Sequence, residues 1–176
     1  MTFRVADISP EHVRLTWNVN APGLRGGTVF RRELSSSWAS VGRIELGVPG
    51  TASFEDASIE AGHGYGYRVE VATREYQSFL GRTWIDVPAW ALRLLRISPN
   101  PALGPFDVAF SLASNLPARL EAFDVAGRRR LTRDLIGFPQ GSHTMRIDPR
   151  GWPAGVYVIR LTQGGNSVTR KTCVLH

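Results

Sequence analysis

At 176 residues, with 43% hydrophobic and 20% charged side chains, the chain has the composition of a folded protein, which excludes global disorder. Its formal net charge is +6 with Lys171 the only lysine; the arginines are scattered apart from Arg128-Arg129-Arg130, no aromatic cluster sits beside that run, and nucleic acid is not the expected partner. One cysteine, Cys173, excludes an internal disulfide and cysteine-based zinc sites, and no apolar run approaches the ~20 residues of a membrane helix, so no membrane insertion is expected. Eighteen glycines and eleven prolines favour short strands over long helices, and the length suits two domains of about 90 residues each.

Period-two alternation starts early. Val13, Leu15, Trp17 and Val19 fall on one face of a strand from His12 onward, with polar residues between them. Residues 21–27 read as a Gly-rich loop, Thr28 to Arg32 as a second strand and Trp38 to Leu46 as a shorter one. Phe54-Glu55-Asp56 follows, its acidic pair placed to cap a turn. Gly62 and Gly64 then make the turn that leads into a strand with Tyr65, Tyr67, Val69 and Val71 on one face, and Gly81 to Val87 reads as a closing strand.

Trp17 on an early strand and the Gly-x-x-Tyr-x-Tyr pattern at Gly62, Tyr65 and Tyr67 resemble the fibronectin type III family over roughly residues 3–88. The resemblance implies a β-sandwich with Trp17 in its core and Tyr65 as the tyrosine corner, its hydroxyl bonded to backbone across the turn. It implies a spacer or binding platform and assigns no chemistry.

Residues 89–93 read as a short apolar linker, unlike a Gly/Ser tether; two halves in contact are expected, with Trp90 a plug between them. Leu92 to Ile97 forms the next strand, stopped by Ser98-Pro99-Asn100-Pro101, where two prolines withhold two backbone donors. Phe106, Val108, Phe110 and Leu112 alternate. Leu120, Ala122, Phe123 and Val125 lead to a hairpin turn at Gly127, and Leu131 to Leu135 returns along it. Met145 and Ile147 lie on a strand that ends at Asp148-Pro149, Trp152 to Gly155 turns, Tyr157, Ile159 and Leu161 alternate, Gly164-Gly165-Asn166 makes a hairpin, and Val168 to Leu175 closes the sheet. About seven short strands in residues 94–176 predict a second sandwich. The fold class expected is therefore all-β, two consecutive immunoglobulin-like or fibronectin-type antiparallel β-sandwiches: domain 1–88, linker 89–93, domain 94–176.

The blocks of this second half, taken in order, are Pro99-Asn100-Pro101, the Phe106-x-Val-x-Phe strand, Asp124-x-x-Gly-Arg, Gly141-Ser142-His143, Ile147-Asp148, Gly155-Val-Tyr157-x-x-x-Leu161 and terminal Arg170-Lys171. Together they resemble the type A C-terminal sorting domain of the type IX secretion system. That resemblance implies a terminal β-sandwich recognised by the outer-membrane export machinery and a product at the cell surface or outside the cell, with Gly155, Tyr157, Arg170 and Lys171 as its recognition positions. An edge strand at the C-terminus has the geometry for strand addition by a partner. The last residues, Thr172 to His176, are less basic than is usual in that family. Met1-Thr2-Phe3-Arg4-Val5 does not resemble a signal peptide, so the chain is expected to be the C-terminal part of a longer protein.

Enzyme signatures are missing. Ser142-His143 has no acid at a suggestive distance and there is no nucleophile elbow; the Gly-rich tracts do not open a helix after a strand; His12, His63, His143 and His176 are far apart in sequence, so no metal or cofactor is expected. The leading expectation is a non-catalytic exported protein. Two alternatives stand beside it. One is a structural subunit of a surface filament or layer that pairs with copies of itself through sheet edges, and the other is a carbohydrate- or peptide-binding module using Trp38 or Trp84.

Overall fold

The computed structural model describes residues 2–18, 26–45, 51–72 and 77–175. Val19, Leu46, His176 and most of the loop expected over 21–27 lie outside them. The chain divides into two compact units, Met1–Ala89 and Trp90–His176.

In the first unit β1 (Thr2–Ile8), β2 (Val13–Asn18) and β5 (Thr51–Asp56) form one antiparallel sheet in the order β1-β2-β5. The other sheet runs β4 (Ala39–Glu45), β3 (Gly26–Arg32), β6 (Gly64–Ala72), β7 (Gln77–Asp86). Alternation decides what enters the core: Val13, Leu15 and Trp17 of β2 are fully buried, as are Tyr67 and Val69 of β6, against Val29 and Ile44. Each such apolar side chain contributes about 1.5–3 kcal/mol by leaving water. Tyr65 is buried too, and its hydroxyl accepts from the Glu60 backbone N–H at 2.9 Å, which is the tyrosine corner. Tyr65→Phe strands that N–H and lowers the unit's stability by about 1 kcal/mol, readable as a shift of the urea midpoint at constant slope.

Three glycines depart from the expected assignment. Gly26 and Gly27 lie in β3, where a Cβ on Gly27 would come within 2.7 Å of the Glu70 carbonyl oxygen and of Val69 Cγ1. Gly64 begins β6 and makes no turn; Gly62, at φ 84°, takes that task alone.

The second unit repeats the three-plus-four plan. One sheet runs β12 (Gly141–Ile147), β9 (Phe106–Leu112), β8 (Arg93–Ser98); the other runs β11 (Arg129–Leu135), β10 (Ala118–Asp124), β13 (Gly155–Gln163), β14 (Asn166–Val174). Phe106, Val108, Phe110 and Leu112 from β9 meet Leu120, Ile159 and Leu161 in one core. The β13–β14 hairpin closes on Gly164 and Gly165, at φ 56° and 83°, directly between the paired Gln163 and Asn166. Two positive φ values in a two-residue loop match the right-handed twist of the strands, and glycine adopts them without strain.

Two expectations are corrected, at Gly155 and in the tract read as a linker, while the hairpin expected at Gly127 is present. Val125 is the 83% exposed tip of that β10–β11 hairpin. There the Asp124 carboxylate accepts from the Ala126 and Arg128 backbone N–H groups and turns the chain before Gly127, at φ 77°. Gly155 is no turn residue: it opens β13, opposite Val174. The tract read as a linker is occupied from Trp90 on by second-unit packing, since the Trp90 ring lies 3.8 Å from where a Gly141 Cβ would sit, Ser111 Oγ donates to the Ala91 carbonyl at 2.6 Å, and Leu92 packs on the core.

Candidate partner-recognition edge

β14 is the outer strand of its sheet, so every second residue turns a backbone N–H and C=O away from β13. Cys173 shows which set this is. Its N–H donates to Asn100 Oδ1 at 2.9 Å and its carbonyl accepts from the Ala102 N–H at 2.8 Å, while the Leu175 N–H donates to the Ala102 carbonyl at 2.8 Å. Thr172 Oγ1 lies 3.3 Å from the same Asn100 oxygen. The Pro-Asn-Pro segment, with both X-Pro bonds cis, thus clasps the last turn of the edge through a short parallel bridge of Ala102 with Val174. The expectation of an edge open to its end is corrected: residues 173–175 are already paired. The β13–β14 register has no bulge, so the same alternation points the backbone groups of Ser167, Thr169 and Lys171 outward. Among the described residues nothing pairs with these three.

The four positions singled out in the sequence have different surroundings. Arg170 is exposed, yet its Nη1 donates to the carbonyls of Leu94 and Leu95, at 3.0 and 2.5 Å, where β8 shifts register against β9. It straps the edge of one sheet to a bulge of the other and satisfies carbonyls that the bulge frees. Lys171 is exposed and makes no ion pair among the described residues. Gly155 is half-buried at the far end of the same strand pair. Tyr157 is 2% exposed, its ring 4.7 Å from that of Trp152 and its hydroxyl donating to the Pro153 carbonyl at 2.5 Å. The edge therefore brings Arg170 and Lys171 together and leaves Tyr157 in the core.

Beside the open part of β14, the outer face of the sheet forms a groove of about 730 Å³ lined by Arg119, Glu121, Arg129, Arg160 and Ser167 among others. Glu121 sits at its floor with 6% of its side chain exposed; Arg160 donates through Nε and Nη2 to one carboxylate oxygen at 3.1 and 2.7 Å, and Arg129 reaches the other at 3.4 Å. The Arg160 hydrogen bond, working against burial, holds this carboxyl below the usual range. The Arg160 guanidinium also stacks over Phe123, 4.5 Å from the ring centre. Of the Arg128-Arg129-Arg130 run, Arg129 is paired in this way and Arg130 bonds Asp124 at 3.0 Å. Sequence reasoning missed both the Asn100 clasp and the burial of Glu121, because each depends on a residue dozens of positions away.

His12 lies between Asp7 and Ser9, His63 near Glu33 and Glu60, and His143 between Phe110 and Phe138 with Nε2 2.7 Å from the Pro139 carbonyl. Among the described residues no three His, Cys, Asp or Glu side chains are grouped to hold a metal ion, and no helix is long and apolar enough to cross a membrane.

Residues 96–175 match the family described as "Secretion system C-terminal sorting domain". Solved structures of similar fold include chicken CNTN1 FN1-FN3 domains (13% identity, TM-score 0.42, 99% of this chain and 66% of that one), the chicken interferon gamma receptor alpha chain (13%, 0.45, 98% and 95%) and a two fibronectin type III domain segment from chicken tenascin (14%, 0.43, 98% and 97%). No curated protein sequence matches the chain at a significant level.

Proposed function

Taking as premise that the second unit is a C-terminal sorting domain of the type IX secretion system, we propose that the chain is a non-catalytic exported protein whose β14 edge is read by the outer-membrane export machinery. The chain is exported to the cell surface or the extracellular space. The observation that carries the recognition reading is the half-clasped edge: Asn100 and Ala102 occupy 173–175, whereas Ser167, Thr169 and Lys171 offer backbone donors and acceptors to an added strand. Arg170 holds that edge in place against β8, and Lys171, the sole lysine, stands on it as a charge that keeps unrelated edges away. The first unit serves as spacer or platform.

The test is a reporter carrying a signal peptide, fused ahead of the full chain in a bacterium with this secretion system. Thr169→Pro removes one outward N–H and no bond to β13, so the fold tolerates it. Export of the Thr169→Pro fusion is expected to fall at least tenfold while the purified chain keeps its melting temperature; unchanged export would overturn recognition through this edge.

A further inference from the structure

The outer face of the β4-β3-β6-β7 sheet is unusual for a solvent face. Trp84 is 42% exposed and lies flat across β6: a Cβ at Gly64 would be 2.9 Å from its Cζ2 and one at Gly66 3.2 Å from its Cε3. Gly66 sits inside β6, where glycine costs stability, and Gly64 opens the strand; both leave room for the indole. The ring is also pinned in rotation, Nε1 donating to Asp86 Oδ1 at 3.0 Å. Trp38, half-buried on the other side of Gly66, is covered by the guanidinium groups of Arg68 at 4.4 Å, Arg32 at 5.0 Å and Arg82 at 5.9 Å; Arg68 also lies 3.7 Å from the centre of the Phe79 ring, itself 51% exposed.

None of Arg32, Arg68 and Arg82 forms an ion pair among the described residues, and the Nε atoms of Arg32 and Arg68 are buried without a hydrogen-bond partner. Elsewhere in the same chain arginines find carboxylates readily: Arg14 on Glu55, Arg31 on Asp56, Arg119 on Asp134, Arg130 on Asp124, Arg160 on Glu121. With Nε buried on Arg32 and Arg68, it is the paired Nη groups of these stacked guanidiniums that can meet a planar anion as a fork. A rigid, electron-rich indole face beside them attracts polarised C–H groups by the same quadrupole that attracts cations. Arg32 and Arg68 lie on β3 and β6, interior strands whose backbone is already paired, whereas Phe79, Arg82 and Trp84 lie on the edge strand β7; what this face presents to a ligand is rings and guanidinium groups.

We propose that this face binds an anionic polysaccharide, its pyranose rings stacking on Trp84 and its carboxylates held by Arg68 and Arg82. The inference concerns the first unit and stands whether or not the β14 edge is read during export. The test is calorimetric titration of the full chain with polygalacturonate, with neutral dextran and poly-L-glutamate as comparison probes. Expected is saturable binding of polygalacturonate only, weakened at least tenfold by Trp84→Ala and by Arg68→Gln and at least threefold by Arg82→Gln, an exposed position whose change leaves the fold intact. Arg150→Gln, which removes one charge from a 91% exposed side chain of the second unit, is expected to change the affinity less than twofold. No binding, binding of dextran as tight as of polygalacturonate, binding of poly-L-glutamate as tight, or an equal loss in Arg150→Gln would each overturn the proposal, the last two by identifying an acidic peptide or net charge as sufficient.

Discussion

Asp56→Ala destabilises the first unit by about 3–5 kcal/mol, the size expected when one member of a buried charged network is deleted, out of a total that for a domain of this kind is about 5–15 kcal/mol. Asp56 is 3% exposed and its carboxylate accepts from four directions: the Tyr67 hydroxyl at 2.9 Å, Arg31 Nη1 at 2.8 Å, and the Ser58 N–H and hydroxyl at 3.0 and 2.7 Å. Deleting it leaves a fully buried phenol with no acceptor and a partly buried guanidinium with only Ser58 left to hydrogen-bond. Tyr67→Phe keeps the ring and loses one charge-assisted bond, costing about 1.5–3 kcal/mol.

The same network sets the pH dependence. Burial opposes ionisation of Asp56, but the hydrogen bonds from Ser58, Tyr67 and Arg31 together outweigh it and hold its carboxyl below the usual range. The unfolded chain binds that proton near pH 4, so this contribution is complete above about pH 4 and is lost as the pH falls toward the folded value. Tyr67 works in the opposite sense. Burial, then the Asp56 charge, pushes its phenol far above the ordinary range; the unfolded chain releases that proton near pH 10, so stability present below about pH 10 is lost as the pH rises further. Urea midpoints measured from pH 3 to 11 are expected to fall at both ends in the natural chain, to lose the alkaline decline in Tyr67→Phe, and to be flatter at the acid end in Asp56→Ala, where burial still holds the Tyr67 phenol up. A natural chain whose first unit is as stable at pH 11 as at pH 8 would contradict this account.

Strands were legible in the sequence because half-burial imposes period two on side chains, and Val13-Leu15-Trp17, Tyr65-Tyr67-Val69-Val71 and Phe106-Val108-Phe110-Leu112 carry it without interruption. Turns that need positive φ were legible for a similar reason: at Gly127 and at Gly164-Gly165 glycine adopts a backbone that other residues avoid. Errors arose where glycine has a different purpose. Gly27 and Gly64 look like loop residues, yet each leaves room for an atom from a distant strand, and nothing local announces Val69 or Trp84. Asn100 is similar: between two prolines it reads as a turn residue, and its bond to Cys173 joins positions 73 apart. The candidate edge was therefore half legible, since a last strand at a sheet border follows from order alone while the clasp that covers part of it comes from tertiary pairing.

Tyr157→Ala unfolds or severely loosens the second unit, costing about 3–5 kcal/mol as large-to-small changes of buried aromatic residues do, and this bears on how a sorting domain is to be mutated. The ring is packed against Trp152, which meets Phe106 edge-on at 6.3 Å, so its loss opens a void at the junction of β9 and β13. Export is expected to fail in Tyr157→Ala, and equally in Phe106→Ala, a fully buried residue with no polar atom to offer a partner. Tyr157→Phe separates folding from recognition. It removes only the bond to the Pro153 carbonyl, at about 0.5–1.5 kcal/mol, and should leave export within twofold of the natural chain when the two melting temperatures are compared alongside. If Tyr157→Phe stays folded and export is nonetheless lost, the hydroxyl itself is read by the machinery and the assignment of Tyr157 to the core is insufficient; if Tyr157→Ala is exported at the natural level, the terminal sandwich need not be folded to be recognised, and an edge displayed by a folded sheet cannot be what is bound.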